Sequence, residues 1–161
     1  MSDAATILVL VVEVNPGLRE AIARFLEGHG CWVTLAPNAR QALQAVREQP
    51  FDAVVSDLSM PDEGGLWLYQ EAVRLRPALR GRFLFTSAEP RSGDAAMSVV
   101  IGSEYFLLKP LSLATLWQRV GEVIDRARRS AVSGYVAPRR AVDDQPAAGA
   151  ERLQSGRPDD R

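Results

Sequence analysis

Residues 51–77, FDAVVSDLSMPDEGGLWLYQEAVRLRP, carry the reading that decides the fold. Phe51 to Ser56 is a short apolar run rich in β-branched side chains, the kind of strand that is buried on both faces of a parallel sheet. The turn-rich stretch from Met60 to Gly65 follows, then helical spacing from Leu66 to about Arg76, closed by Pro77. Asp57 stands where strand gives way to turn, which is where ligands of parallel sheets bind.

The same unit repeats on either side. Upstream, Ile7 to Val12 reads as a central strand, and Leu18, Ile22, Phe25 and Leu26 recur at helical spacing until Gly28 and Gly30 interrupt them. Cys31 to Ala36 predicts a second strand, and Asn38 an N-cap for a helix with Ala39, Ala42, Leu43 and Val46 on its apolar face. Downstream, Arg82 to Thr86 predicts a strand, Gly93 to Ile101 a short helix, Tyr105 to Leu108 a fifth strand, and Leu113 to Arg129 an amphipathic helix. Alternating strands and helices of this length specify an α/β fold with a parallel sheet covered on both faces.

From about Ser130 the composition shifts to Pro, Gly, Arg and Asp, with almost no large apolar side chain after Tyr135 and Val136. Such a segment cannot offset its chain entropy by burial, so one folded domain is expected over 1–129 and a disordered tail over 130–161. The formal charge of −1 and the absence of a basic stripe give no pull toward nucleic acid. The apolar run at Ile7 to Val12 is too short to span a bilayer, and the lone Cys31 can form no internal disulfide, so a cytoplasmic protein is expected. Of the 19 cationic side chains, Lys109 alone is lysine. That exception invites a chemical reading.

A parallel sheet gathers Glu13, Asp57, Thr86, Ser87 and Lys109 at one edge, because each follows or ends a predicted strand. A carboxylate flanked by an ammonium and hydroxyls can accept a phosphoryl group, the ammonium offsetting its charge. The stretches Val-Val-Glu-Val-Asn-Pro at 11–16, Ser-Asp-Leu-Ser-Met-Pro at 56–61 with Gly64 and Gly65, Phe-Thr-Ser-Ala at 85–88 and Leu-Leu-Lys-Pro at 107–110 occur in that order at strand ends. Over roughly residues 6–128 the chain resembles the receiver domain of two-component response regulators.

The resemblance implies a flavodoxin-like, doubly wound (βα)5 fold with a five-stranded parallel sheet. It implies that Asp57 is the phosphoacceptor, Thr86 the switch hydroxyl, Lys109 the lysine that meets the phosphoryl group, and the Lys109-Pro110 bond cis. Glu13, Asp57 and the backbone carbonyl of Ser59 would hold Mg²⁺, and Phe106 falls at the switch aromatic. Val14 departs from the family pattern, which carries a second acidic residue there; its loss predicts weak Mg²⁺ binding.

The leading expectation is a stand-alone response regulator. A histidine kinase or histidine phosphotransferase would load Asp57, and the face made by 93–101, 105–108 and 113–129 would change shape to bind an unidentified protein target, with a homodimer also compatible. The domain would be a phosphoacceptor and not an enzyme. The alternative is a pseudo-receiver, an interaction module whose Mg²⁺ site is disabled. A nucleotide- or flavin-binding enzyme lacks its glycine-rich loop, since Glu13-Val14-Asn15-Pro16 stands in that place. His29, between Gly28 and Gly30, reads as an exposed loop residue with no partner, and Trp32, Trp67 and Trp117 as packing residues.

Overall fold

β1 (Ile7–Val12) is the centre of the molecule because it carries no polar side chain on either face: Val9 to Val12 are all buried. A computed structural model describes residues 5–88 and 105–132. After β1 come α1 (Pro16–Gly28), β2 (Cys31–Ala36), α2 (Ala39–Glu48), β3 (Ala53–Asp57), α3 (Gly64–Leu75), a 3₁₀ turn (Pro77–Leu79), β4 (Phe83–Ser87), β5 (Tyr105–Leu108) and α4 (Leu113–Val132). The sheet is parallel with strand order β2-β1-β3-β4-β5, so the order reverses direction between β1 and β3.

The alternation of β1 divides the apolar interior in two. Leu10 and Val12 pack with Val54, Phe83 and Phe85 against α2 and α3. Val9 and Val11 pack with Val55 and Leu84 against α1 and α4. In the first core Tyr69 meets Phe83 edge-on at 5.0 Å between ring centroids, and Phe106 reaches Phe85 at 5.6 Å.

Helix starts follow from local chemistry. Asn15 Oδ1 accepts the Leu18 N–H at 3.0 Å with Pro16 at the first helical position, and Asn38 Oδ1 accepts the Gln41 N–H at 2.9 Å. α2 has a second, non-local cap. The two carboxylate oxygens of Asp62, from the loop between β3 and α3, accept the N–H groups of Ala39 and Arg40 at 3.3 and 3.1 Å. Arg40 in turn pairs with Glu63 at 2.6 Å.

At the opposite edge, arginines reach exposed ends of the backbone. Arg82 donates to the carbonyls of Ala78 and Asp52 at 3.0 and 3.1 Å, Arg76 to that of Val46, and Arg126 to that of Gly81 at 2.8 Å.

Several elements differ from the sequence reading. α3 starts at Gly64, inside the expected turn, and α4 runs to Val132, three residues into the segment expected to be disordered. The rest of that segment and the helix expected at Gly93 to Ile101 lie outside the described residues. His29 has partners: its Nδ1 donates to the Phe25 carbonyl at 2.9 Å, and its ring lies 4.7 Å from Phe25 and 4.5 Å from Trp117. That stack bridges α1 and α4.

Gly64 has φ +77°, which favours glycine, and a Cβ on Gly65 would lie 2.5 Å from the Asp57 carbonyl oxygen and 3.0 Å from Leu58 Cα. Backbone cannot yield as a side-chain tip can. Gly65→Ala is therefore expected to lower unfolding free energy by about 1–3 kcal/mol. Gly121→Ala, with open space around the added methyl inside α4, is expected to raise it by about 0.5–1 kcal/mol. Urea denaturation of both variants checks the contrast.

The Asp62 cap adds a pH dependence. Partial burial alone would raise its pKa, but the N–H groups of Arg40 and Ala39, with those of Glu63 and Asp62 itself, bring it below the ordinary value of 3.8. A lowered carboxylate pKa contributes stability that is present above the ordinary value and lost as pH falls through the folded one. The difference in melting temperature between wild type and Asp62→Asn is expected to be full at neutral pH and to vanish in strong acid.

Candidate functional site

The reversal of strand order leaves a crevice beyond the carboxyl ends of β1 and β3, and the polar residues of the sequence reading meet there. Glu13 follows β1 and is 2% exposed; Asp57 ends β3 and is 7% exposed. Thr86 of β4 is in register with Asp57 and buried, and its carbonyl accepts the Leu58 N–H at 2.9 Å. Lys109 follows β5, where its own N–H donates to the Ser87 carbonyl at 2.8 Å. The Lys109-Pro110 peptide is cis, as the resemblance implied.

Lys109 Nζ lies between the two carboxylates. It donates to Glu13 Oε1 at 2.6 Å and to Asp57 Oδ2 at 3.1 Å. The remaining oxygens are engaged as well: Glu13 Oε2 accepts the Val14 N–H at 3.1 Å, and Asp57 Oδ1 accepts the Ser59 N–H at 3.2 Å. Burial raises the Glu13 pKa above its ordinary value, aided by the neighbouring Asp57 and opposed by Lys109. Burial acts to lower the Lys109 pKa, but Glu13 and Asp57 together outweigh it and leave it raised. Lys109 stays cationic because its neighbours are anions.

Two contributors were not legible in the sequence. Arg19, one turn into α1, donates from Nη1 to the Glu13 carbonyl at 2.8 Å and reaches the Val14 carbonyl at 3.5 Å, tying helix and loop together. Asp62 anchors the loop that carries Ser59 to α2. Arginine spacing alone gave no sign of the first. Asp62 is a turn residue whose capped helix, α2, lies far upstream, so its local spacing gave none of the second.

Mg²⁺ takes oxygens in near-octahedral geometry, usually one or two carboxylates with several waters, so Glu13 and Asp57 could hold it only by giving up their contacts with Lys109. Val14, 37% exposed, offers no side-chain oxygen, and both carboxylates already face an ammonium. Among the described residues no group of three His, Cys, Asp or Glu side chains comes together to hold a metal. Ser59 is exposed beside Asp57, and Phe106 is half-buried against Phe85 and so turned toward the first core.

The family described as response regulator receiver domain matches residues 9–121. Response regulator Rre1 of Synechocystis is 33% identical over 135 residues, covering 81% of this chain and 57% of its own length. Transcriptional regulatory protein CreB of Escherichia coli is 26% identical, covering 75% of this chain and 52% of its own. The chain thus spans about half the length of these relatives. Among solved structures, chemotaxis protein CheY4 of Vibrio cholerae superposes with a TM-score of 0.67 at 26% identity, covering 74% of this chain and 99% of CheY4. A CheY-like receiver domain from Methanospirillum hungatei reaches 0.72 at 21% identity, covering 78% of this chain and 99% of its own, which shows the shared fold.

Replacing Lys109 by Met would leave two buried carboxylates facing each other. Breaking such an arrangement from one side costs about 3–5 kcal/mol when the remaining charge cannot escape. Glu13 would then hold its proton to still higher pH. A raised carboxylate pKa contributes stability present below the ordinary value and lost as pH rises through the folded one, so the penalty should be largest at neutral pH and shrink in acid. Denaturation midpoints of Lys109→Met at neutral and acidic pH measure both the size and the sign.

Proposed function

This chain belongs to the response regulator receiver domain family, and on that premise we propose that it is a pseudo-receiver: a signalling module that binds a protein target with its Mg²⁺ site disabled. One arrangement carries the reading. The ammonium of Lys109 sits between Glu13 and Asp57 at 2.6 and 3.1 Å, and Val14 stands where the family pattern has an acidic side chain. The lysine sets one positive charge between the two carboxylates and engages an oxygen of each, so a divalent cation would have to displace it from a site that has one acidic side chain fewer than the family pattern. Receiver domains are signalling modules and not enzymes in the usual sense. No described helix is long and apolar enough to cross a membrane, and Cys31 is a free thiol, which supports a cytoplasmic setting for the target.

A second reading rests on a different observation. Asp57 keeps Thr86 in register on the neighbouring strand and Lys109 within hydrogen-bond distance, the groups a phosphoacceptor needs. In that reading a histidine kinase or histidine phosphotransferase approaches the crevice. An Asp57 oxygen forms a bond to phosphorus as the phosphorus–nitrogen bond breaks in a phosphohistidine protonated on its other ring nitrogen, so that the imidazole leaves neutral and keeps that proton. Lys109 then exchanges a carboxylate oxygen for a phosphoryl oxygen.

Two measurements on the full chain separate the readings. Mg²⁺ titration followed by tryptophan fluorescence is expected to show no saturable response in wild type and a clear one in Val14→Asp. Intact mass after incubation with acetyl phosphate and Mg²⁺ is expected to be unchanged in wild type. A phosphoryl adduct on wild type that disappears in Asp57→Asn would overturn the pseudo-receiver and establish the phosphoacceptor.

A further inference from the structure

β2 is an edge strand whose own sequence lacks the features that commonly protect an edge. Its six residues, Cys31 to Ala36, include no charge, no proline and no bulge. Two of its apolar side chains face solvent: Trp32 is 65% exposed and Leu35 is 37% exposed. Isolated apolar residues on a surface are ordinary. A largely exposed tryptophan on an uncharged sheet edge is not.

The backbone direction of that edge is determined. The Ala36 carbonyl accepts the Glu13 N–H at 3.2 Å, so Ala36, Thr34 and Trp32 turn their peptide groups toward β1. Cys31, Val33 and Leu35 therefore point their N–H and C=O groups outward, where no described residue pairs with them.

We propose that this edge is the dimer interface of the protein, with β2 of a second copy pairing antiparallel about a two-fold axis at Val33. In that register Val33 exchanges both backbone bonds with Val33 of the other copy, and Cys31 exchanges both with Leu35. Shifting the axis to residue 31 or 35 would leave part of the outward groups unpaired. Trp32 comes opposite Thr34 and lies over it, while Leu35 comes opposite Cys31; no like charges meet. Gly30, with φ +85°, and Pro37 bound the strand at its two ends and limit the pairing to these residues.

The size of the contact sets its strength. The exposed parts of two Trp32 side chains contribute roughly 250 Å², against about 1,200 Å² for a stable interface. The strand edges and the flanks of α1 and α2, which pack on opposite faces of β2, must supply the remainder. The interface falls at the small end of the range, so the dimer is a micromolar one. It is independent of any chemistry at Asp57.

Sedimentation equilibrium of the full chain is expected to show a monomer–dimer equilibrium in the micromolar range. Trp32→Lys places two ammonium groups in the contact and is expected to weaken it by about tenfold or more, and Leu35→Lys should do the same. Melting temperatures should barely change, because both side chains are already exposed. In a Cys31→Ser background, Val33→Cys should form an inter-copy disulfide on mild oxidation, since hydrogen-bonded antiparallel pairs hold their Cα atoms about 5.5 Å apart. The same background with Asp125→Cys, on exposed α4 surface, should not. A chain monomeric at all concentrations, leaving the edge to a strand of a different protein, overturns the proposal. So does a dimer that both lysine variants leave intact.

Discussion

Two carboxylates at the ends of neighbouring strands, both almost removed from water, repel each other unless something cationic lies between them. Lys109 is that group, and much of the molecule is arranged to bring it there. β5 must dock on β4 to place residue 109, β1 and β3 must pair in register to bring Glu13 beside Asp57, and Arg19 must hold the loop between. At distances of 2.6 and 3.1 Å in a partly dry crevice, the attraction is far larger than the same pair would feel at the surface. Desolvation consumes much of that gain, so the pair's larger contribution is to select one geometry from many.

The absence of lysine elsewhere acquires a physical sense from the contacts. Arg19, Arg76, Arg82 and Arg126 all donate to backbone carbonyls, and Arg19, Arg76 and Arg82 each reach two of them. A planar guanidinium with several donors suits oxygens that diverge around helix ends and strand starts. Between two converging carboxylates a compact ammonium fits better. One chain thus uses its two kinds of cation for two tasks, closing the frame and bridging the two carboxylates of the site.

The sheet, its helices and the positions of Glu13, Asp57, Thr86 and Lys109 were legible because β1, β3 and β4 are buried on both faces and advertise it as unbroken apolar runs. The turn signals around 60–65 misplaced the start of α3, since Gly64 and Gly65 both belong to the helix and yet satisfy every rule for a turn. Asn15 and Asn38 were readable as caps from local spacing, whereas Asp62 caps a helix that precedes it by more than twenty residues. His29 seemed unpaired for the same reason, its partner Trp117 being almost ninety positions away. Local chemistry is written in the sequence; which distant element will lie alongside is not. The state of Lys109 belongs to the second kind, because only geometry reveals that it faces Glu13 more closely than Asp57.

The span of 96 residues between Glu13 and Lys109 has a consequence for how the protein is born. During synthesis β1, β2 and β3 emerge and can pair before β5 exists, so the carboxylates of Glu13 and Asp57 come together with no counter-ion at hand. Proton uptake by one of them, or local fraying of the β1 and β3 tips, is the state available to the nascent chain until residue 109 clears the ribosome. The entropy of closing that loop grows only slowly with its length, but the contact that offsets it forms late. The crevice is thereby completed only once β5 has docked, and in a chain that stops before β5 the two carboxylates would lack their counter-ion, a penalty largest at neutral pH and relieved in acid.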